Sequence, residues 1–248
     1  MSTCEKCGGT GWLIVEREET SGAERCSCYF QDRASTLEAQ SGIPMRFANA
    51  SFDNFALPKD NPVVNSQLAA VMSICLSYTR QFPMVEPQGL LFFGDPGAGK
   101  THLAAAVARR IMAKGFPVLF FDFQNLLDRI RNGFDPNSGA SDRNAYQSAL
   151  DAEVLVIDDL GAYRAMEWVE DTVTSIITYR CNNRKPLIAT TNLPDPDVVG
   201  QMLDENKRAK TSLAERIGLR SRSRLFEMCK PVKMFGIPDY RLKKSLAY

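Results

Sequence analysis

The clearest chemical pattern in this chain is a run of eight consecutive residues: Gly94, Asp95, Pro96, Gly97, Ala98, Gly99, Lys100 and Thr101. They match G-x-x-x-x-G-K-[ST], the pattern of a loop whose backbone N–H groups surround a phosphate. Lys100 is expected to reach the β- and γ-phosphates of ATP, and the Thr101 hydroxyl to hold Mg²⁺. The apolar run before the loop predicts a strand and the run after it a helix, as such a loop requires. An ordinary glycine-rich turn is the alternative.

Two consecutive carboxylates, Asp158 and Asp159, follow the apolar run 154–157. In α/β proteins, ligands bind at the carboxyl ends of the strands. Asp158 is therefore predicted to hold Mg²⁺ together with Thr101, and Asp159 to polarise the attacking water. Asn192, after a further apolar run, is placed to hydrogen-bond the γ-phosphate and that water. Helix-capping acids and a turn asparagine are the alternatives.

A second group of candidate ligands lies near the N-terminus and consists of Cys4, Cys7, Cys26 and Cys28. Four thiolates within 25 residues predict a tetrahedral zinc site, because a segment this small has too little core to fold without metal. The second pair has C-x-C spacing, so a redox pair, buried cysteines and an iron–sulfur cluster are alternatives. The other cysteines are interpreted as packing residues, and His102, the only histidine, as structural.

The elements that must position these residues alternate along the chain. Short apolar runs at 90–93, 118–121, 154–157 and 187–189 predict buried parallel strands, and helical patterns at 101–114, 124–131 and 166–183 separate them. This order predicts an α/β fold with three α/β/α layers. We divide the chain into a cysteine module (1–33), a linker with a helix (34–87) and an ATPase core (88–248). Beyond Asp197 the pattern is helical and basic, and predicts a small C-terminal lid.

Composition excludes several classes of protein. The 248 residues carry a net charge of +1, so the chain as a whole has no bias toward nucleic acid or membranes. Residues 203–248 hold twelve Lys or Arg against five Asp or Glu, which suits a polyanion-facing surface or solvated helix faces. No apolar run approaches the ~18 residues of a membrane span, and the N-terminus does not resemble a signal peptide. A cytoplasmic protein without structural disulfides is therefore expected.

The order of the phosphate loop, the 154–161 run, the 190–192 run and the arginine-rich end resembles that of AAA+ ATPases. More narrowly, residues 46–241 resemble the DnaC/DnaI helicase loaders and the IstB transposition helpers, in which a paired Asp158-Asp159 is typical. The resemblance implies a P-loop AAA+ domain with a small helical lid that hydrolyses ATP with Mg²⁺. It also implies that residues 50–55 lie against the adenine and that Asn192 is the sensor-1 residue.

The resemblance also assigns roles to C-terminal arginines. Residues 213–218 and 223–225 resemble the segment that bears an arginine finger, which we map to Arg224, with Arg220 and Arg222 as substitutes. A finger acts on the ATP of a neighbouring subunit and is typically worth 10³–10⁵ in rate, so it implies self-association or a partner. Arg241, in a D-x-R triplet, takes the sensor-2 position. Solvated surface arginines are the alternative.

The function predicted from this resemblance is loading of a replicative hexameric helicase onto DNA. The cysteine module is interpreted as the part that grips the helicase, because the core has no other recognisable partner surface. Single-stranded DNA is expected at Arg129, Arg131 and Phe134, although a solvated helix end explains the same residues. The alternatives are a transposition helper that binds target DNA and a nucleotide-gated adaptor without useful hydrolysis. Asn192 and the arginines disfavour a small-molecule kinase. Hydrolysis is expected to be slow, because Asp159 is one methylene shorter than the Glu that many AAA+ proteins carry.

Overall fold

The structure is a computed structural model that describes residues 4–17, 20–133, 144–199 and 211–245. Its main sheet contains five parallel strands in the order β4-β5-β6-β3-β7. These strands are β3 (Gly89–Gly94), β4 (Val118–Asp122), β5 (Val154–Asp158), β6 (Leu187–Thr191) and β7 (Cys229–Met234). The apolar runs predicted as strands coincide with β3 to β6, and every residue of β3, β5 and β6 is buried.

Helices cover both faces of this sheet. They are α1 (Ser27–Gln40), α2 (Pro62–Gln81), α3 (Lys100–Ala113), α4 (Phe123–Gly133), α5 (Ala145–Asp151), α6 (Glu167–Asn182), α7 (Pro196–Val199), α8 (Leu213–Met228) and α9 (Tyr240–Ser245), with a 3₁₀ turn at Met45–Phe47. Leu90 and Phe92 of β3 pack with α2 and α3, whereas Leu91 and Phe93 pack with α4, α6 and α8. Because alternate strand residues enter opposite layers, the three-layer α/β/α fold is confirmed.

The C-terminal region contains a strand that the sequence did not predict. The pattern beyond Asp197 was interpreted as helical, but β7 pairs in parallel with β3 at an edge of the sheet. Lys230 and Lys233 are exposed and Val232 is buried, so the apolar residues alternate rather than forming a run. Pro231 fits here because an edge strand has a row of N–H groups without sheet partners. The helices α8 and α9 flank this strand.

The N-terminal segment forms an antiparallel hairpin of β1 (Trp12–Arg17) and β2 (Thr20–Arg25), followed directly by α1. The far end of α1 is attached to the main domain, because the Phe120 N–H of the edge strand β4 donates to the Ser41 carbonyl at 2.7 Å. Glu38 also pairs with Arg109 of α3 at 3.1 Å. Since α1 runs across residue 33, it connects the hairpin to the sheet, and the three-part division of the chain stays a prediction.

Among the helices that the structure describes, none is both long and apolar enough to cross a bilayer.

Candidate nucleotide site and cysteine cluster

The phosphate loop connects β3, which ends at Gly94, to α3, which begins at Lys100. Gly97 and Gly99 have φ values of 76° and 96°, a region that favours glycine. A Cβ on Gly97 would overlap the Asp239 carboxylate, and a Cβ on Gly99 would lie 2.6 Å from the Phe55 ring. Because Asp239 and Phe55 occupy the space that a Cβ would need, and because both φ values are positive, only glycine fits at positions 97 and 99.

Lys100 is held inside this loop and is only 5% exposed. Its Nζ donates to the carbonyls of Gly94 and Asp95 at 2.9 and 2.8 Å, and to Asn192 Oδ1 at 2.6 Å. Burial lowers the pKa of Lys100 to about 8, against the attraction of Asp159, Asp158 and Asp95. The ammonium is thus desolvated and held by neutral acceptors, a state in which a phosphate anion is a strong competing partner.

The predicted Mg²⁺ ligands are brought together at the carboxyl end of β5. The Thr101 hydroxyl donates to Asp158 Oδ1 at 2.9 Å, and the Thr190 hydroxyl donates to the same oxygen at 2.6 Å. Burial raises the pKa of Asp158, while these two hydroxyls act in the opposite direction. The sequence reasoning missed Thr190, although its position after the apolar run of β6, two residues before Asn192, was a usable signal.

Asn192 connects the lysine of the phosphate loop to the predicted catalytic Asp159. Its Nδ2 donates to Asp159 Oδ1 at 2.7 Å, while its Oδ1 accepts from Lys100. Asp159 has a φ of 53°, in the left-handed region, and its N–H donates to the Thr190 hydroxyl at 2.9 Å. In this strained backbone conformation the Asp159 carboxylate lies within hydrogen-bond distance of Asn192. The two side chains therefore lie with the phosphate loop in one hydrogen-bonded network.

This network forms one wall of a cleft of about 720 Å³, which is large enough for a nucleotide. Phe55 and His102 also line the cleft, with ring centroids 5.4 Å apart, and His102 Nε2 lies 2.9 Å from the Ser51 carbonyl oxygen. Part of the segment predicted to lie against the adenine thus lies beside the loop. Arg241 and Tyr240 also line the cleft, and the Tyr240 N–H donates to the Gly97 carbonyl at 3.2 Å.

The arginines predicted as a finger lie elsewhere, on α8, and are not among the described residues that line the cleft. Arg224 forms an exposed ion pair with Glu227 at 2.6 Å. Arg220 and Arg224 instead line a polar groove of about 820 Å³ between α6 and α8. Arg222 is bound to Asp195. The structure therefore separates these arginines from the ATP cleft of their own chain.

The predicted DNA contacts are only partly described. Arg131 is exposed in the last turn of α4, and the Arg129 guanidinium lies 5.4 Å from the centroid of the Phe121 ring. Phe134 lies outside the described residues.

The four N-terminal cysteines converge, because all their Sγ atoms lie within 4.8 Å of one another. The Cys4–Cys26 and Cys7–Cys28 sulfur distances are 3.9 and 3.4 Å. A tetrahedral site with Zn–S bonds of about 2.3 Å places sulfurs about 3.8 Å apart, so these spacings fit zinc. Backbone bonds form the turn that carries Cys4 and Cys7, including that of the Gly8 N–H with the Cys4 carbonyl at 2.8 Å.

The environment of the Cys7 thiol also favours its deprotonation, because it lowers the pKa of this thiol. The Gly11 N–H donates to Cys7 Sγ at 3.3 Å. Desolvation opposes ionisation, but this bond and the Cys28 thiol hold the pKa of Cys7 at about 6. The donor set and its geometry therefore fit a thiolate-bound metal ion.

Comparison with known proteins identifies the chain as similar to ATP-binding proteins. A family model described as IstB-like ATP binding protein matches residues 62–223. The replicative helicase loader DnaC of Escherichia coli (strain K12) is 24% identical over 211 residues, which cover 82% of this chain and 83% of that protein. The phage-like element PBSX protein XkdC of Bacillus subtilis (strain 168) is 26% identical over 196 residues, which cover 77% and 71% of the two chains.

Among solved structures, a crystal structure of the DnaC helicase loader aligns with a TM-score of 0.62 and 31% identity. The aligned region covers 77% of this chain and 99% of that chain. The family model covers more than half of the present sequence, and the phosphate loop, Asp159 and Asn192 meet at one cleft. The chain therefore belongs to the family of IstB-like ATP binding proteins and has the fold of an AAA+ ATPase.

Proposed function

We propose that this protein binds a replicative hexameric helicase and loads it onto single-stranded DNA under the control of ATP. The observation that carries the proposal is that the nucleotide cleft and the four-cysteine cluster are structurally connected within one chain. The nucleotide cleft contains the Lys100–Asn192–Asp159 network, and α1 connects the four-cysteine cluster to the edge of the same sheet. The similarity to a DnaC helicase loader along nearly its whole crystallised length supports the assignment.

In the proposed cycle, ATP phosphates attract Lys100 away from the carbonyls of Gly94 and Asp95. Thr101 and Asp158 are the residues that would hold Mg²⁺, which neutralises charge on the β- and γ-oxygens. Asn192 is then released to contact the γ-phosphate, and Asp159 to polarise the attacking water. The cleft thus reports whether ATP is bound by breaking one hydrogen-bonded network and forming another.

Hydrolysis is proposed to be slow and to depend on a second subunit. Arg224 is exposed and lies outside the cleft of its own chain, where it contacts Glu227 and Cys181, so we assign its guanidinium to the ATP of a neighbouring copy. Arg241 lines the cleft and is proposed to act in cis. We expect turnover below ~10 s⁻¹, the median for enzymes.

The cysteine module is proposed as the helicase grip, with zinc as its structural metal. On β1, Ile14 is 81% exposed and Trp12 is 44% exposed, so the hairpin presents apolar side chains outward. Single-stranded DNA is proposed to pass Arg129 and Arg131 at the end of α4. The protein is proposed to act in the cytoplasm, where replicative helicases work.

The test is to mix the protein with the replicative helicase of its host, with and without ATP, and measure the mass of the complex by light scattering. A nucleotide-sensitive complex that is lost in a Cys4→Ser/Cys7→Ser variant would support both the loader and the grip. Cys181→Ser is the matched control, because Cys181 lies on α6, outside the cluster. Lys100→Ala should remove the dependence on ATP.

A transposition helper is the second candidate, and the match of the IstB-like family model over residues 62–223 favours it. In that case the protein would form no complex with the helicase under any condition. It would instead bind double-stranded DNA in an ATP-dependent manner, which fluorescence anisotropy with a labelled duplex would detect.

The nucleotide-gated adaptor differs from both candidates in needing no hydrolysis. Substitution of Asp159 distinguishes the adaptor from the two hydrolysing candidates. Its carboxylate is bound by Asn192 and not by the phosphate loop, so removing its charge should affect hydrolysis more than nucleotide binding. If Asp159→Asn supports function in cells whereas Lys100→Ala does not, nucleotide binding alone is sufficient.

A further inference from the structure

A buried ion pair joins the end of β6 to the helix that carries the proposed finger. The Asp195 side chain is completely buried, and both of its oxygens accept from Arg222 of α8, at 2.6 Å from Nε and 2.7 Å from Nη2. Arg222 also contacts the exposed Asp197. A buried carboxylate needs such a partner, because an unpaired charge in the interior is strongly unfavourable. The pairing therefore fixes where this part of α8 lies.

The two ends of this contact lie beside the nucleotide site. Asp195 follows Asn192 by three residues. On its other side the Arg222 guanidinium lies 4.6 Å from the centroid of the Phe226 ring, which is 6.0 Å from that of Phe93. Phe93 directly precedes the phosphate loop. Arg222 thus contacts the segment that follows β6 directly, and the strand that ends at the phosphate loop through Phe226.

The helix itself is interrupted just before this contact. Gly218 has φ 81° and ψ 153°, so α8 consists of two helical halves, and a Cβ at this position would overlap the Glu170 carboxylate. Hydrogen bonds along the first half therefore do not fix the direction of the second half. The second half, residues 219–228, carries Arg222 and Arg224.

We propose that Asp195 and Arg222 are positioning residues that orient the second half of α8, so that Arg224 reaches the ATP of a neighbouring subunit. This inference rests on the proposed trans-acting role of Arg224. It assigns Arg222 to the interior of its own subunit and leaves the contact with ATP to Arg224.

The experiment separates a subunit that donates the finger from one that accepts it. Lys100→Ala subunits lack ATP binding but keep the finger, whereas Arg224→Ala subunits bind ATP without a finger. Mixing the two restores turnover if Arg224 acts in trans. Asp195→Asn is then added either to the donor or to the acceptor, under the conditions that give the wild-type protein its highest turnover.

We expect Asp195→Asn in the donor to lower the restored turnover at least about tenfold, because small displacements of a catalytic group cost up to about 100-fold. In the acceptor it should change turnover less than about twofold. Arg222→Lys, which keeps the charge but cannot form two parallel bonds, should act in the same way as Asp195→Asn. Asp197→Asn is the matched control, since Asp197 is 76% exposed, and should have little effect on either side.

Other outcomes overturn the inference in distinguishable ways. Equal losses in donor and acceptor would show that the pair only stabilises the fold, and ATP affinity of the single Asp195→Asn variant would fall as well. No loss in either would show that the pair does not orient Arg224. A parent mixture without turnover would refute the trans-acting finger itself, and the positioning role with it.

Discussion

The nucleotide cleft and the cysteine cluster are two binding sites maintained by different means. The cleft lies at the end of strands whose residues are all buried, so apolar packing holds the backbone that carries its side chains without help from a ligand. The hairpin of the cysteine module has little apolar interior, as the 81% exposure of Ile14 shows. The first site is a product of the fold, whereas we expect the fold around the second to depend on a bound metal ion.

Removing the metal should therefore produce the largest difference between the two regions. In a Cys4→Ser/Cys7→Ser variant we expect complete loss of bound zinc and rapid proteolysis within residues 4–26, since two of the four ligands are missing. ATP affinity should change by less than about a factor of two, because the core packs independently. Metal analysis, limited proteolysis and ATP titration measure the three quantities. A loss of ATP affinity as large as that of Lys100→Ala would mean that the two regions fold together.

The converse change is Lys100→Ala. We expect at least a 100-fold loss of ATP affinity, or about 2.7 kcal/mol, because the variant lacks charge-assisted bonds to phosphate in a buried site. Zinc content should stay at one ion per chain. Lys114→Ala is the matched control at the opposite end of α3, where the Lys114 Nζ donates to the carbonyls of Arg80 and Phe82. Comparable losses in the two variants, measured by calorimetry, would contradict the assignment of the site.

A third change tests the packing that holds the cleft. Arg180 of α6 is completely buried and donates to backbone carbonyls of Ala149, Leu150, Ala152 and Pro186. Arg180→Met should lower the free energy of unfolding by about 2 kcal/mol, because buried carbonyls lose their donors. Zinc content should be unchanged, since the cysteine cluster is remote in sequence and in structure. The exposed Arg164→Met should change the denaturation midpoint little.

The smallest expected effect is the pH dependence of ATP binding. Burial lowers the pKa of Lys100 to about 8, so the free protein loses this proton as the pH rises above 8. Because the phosphates bind the charged form, the Kd for ATP should rise toward tenfold per pH unit between pH 8 and 9, with proton uptake on binding. Lys100→Arg should remove this slope, since Arg stays charged. A wild-type Kd that is constant from pH 7 to 9 would contradict the low pKa.

The sequence predicted the parts of the cleft that depend on local pattern. The phosphate loop, Asp158 and Asn192 each follow an apolar run that is buried on both sides, and such runs are readable without tertiary information. The strand β7 was missed because Lys230 and Lys233 interrupt its apolar residues, as an edge position allows.

Contacts between distant segments were beyond the reach of sequence pattern. Asp195 and Arg222 are 27 positions apart, and both appear in the sequence as ordinary surface charges. Their burial follows only from the way that α8 folds over the end of β6. The same holds for Arg180, whose acceptors are backbone carbonyls and carry no signature in side-chain composition.

The pairing of β3 with β7 has a consequence for how the protein is made. Gly89 of β3 pairs with Cys229 of β7, so during synthesis β3 cannot pair with this neighbour until most of the domain has been made. At the usual speed of translation this delay is on the order of ten seconds. During that time the backbone groups of β3 that pair with β7 have no partner strand. A truncated chain that ends before Cys229 would leave them unpaired. We expect the cleft to be completed only after β7 has emerged, because Ile237, Pro238, Tyr240 and Arg241, which follow β7, are part of its lining.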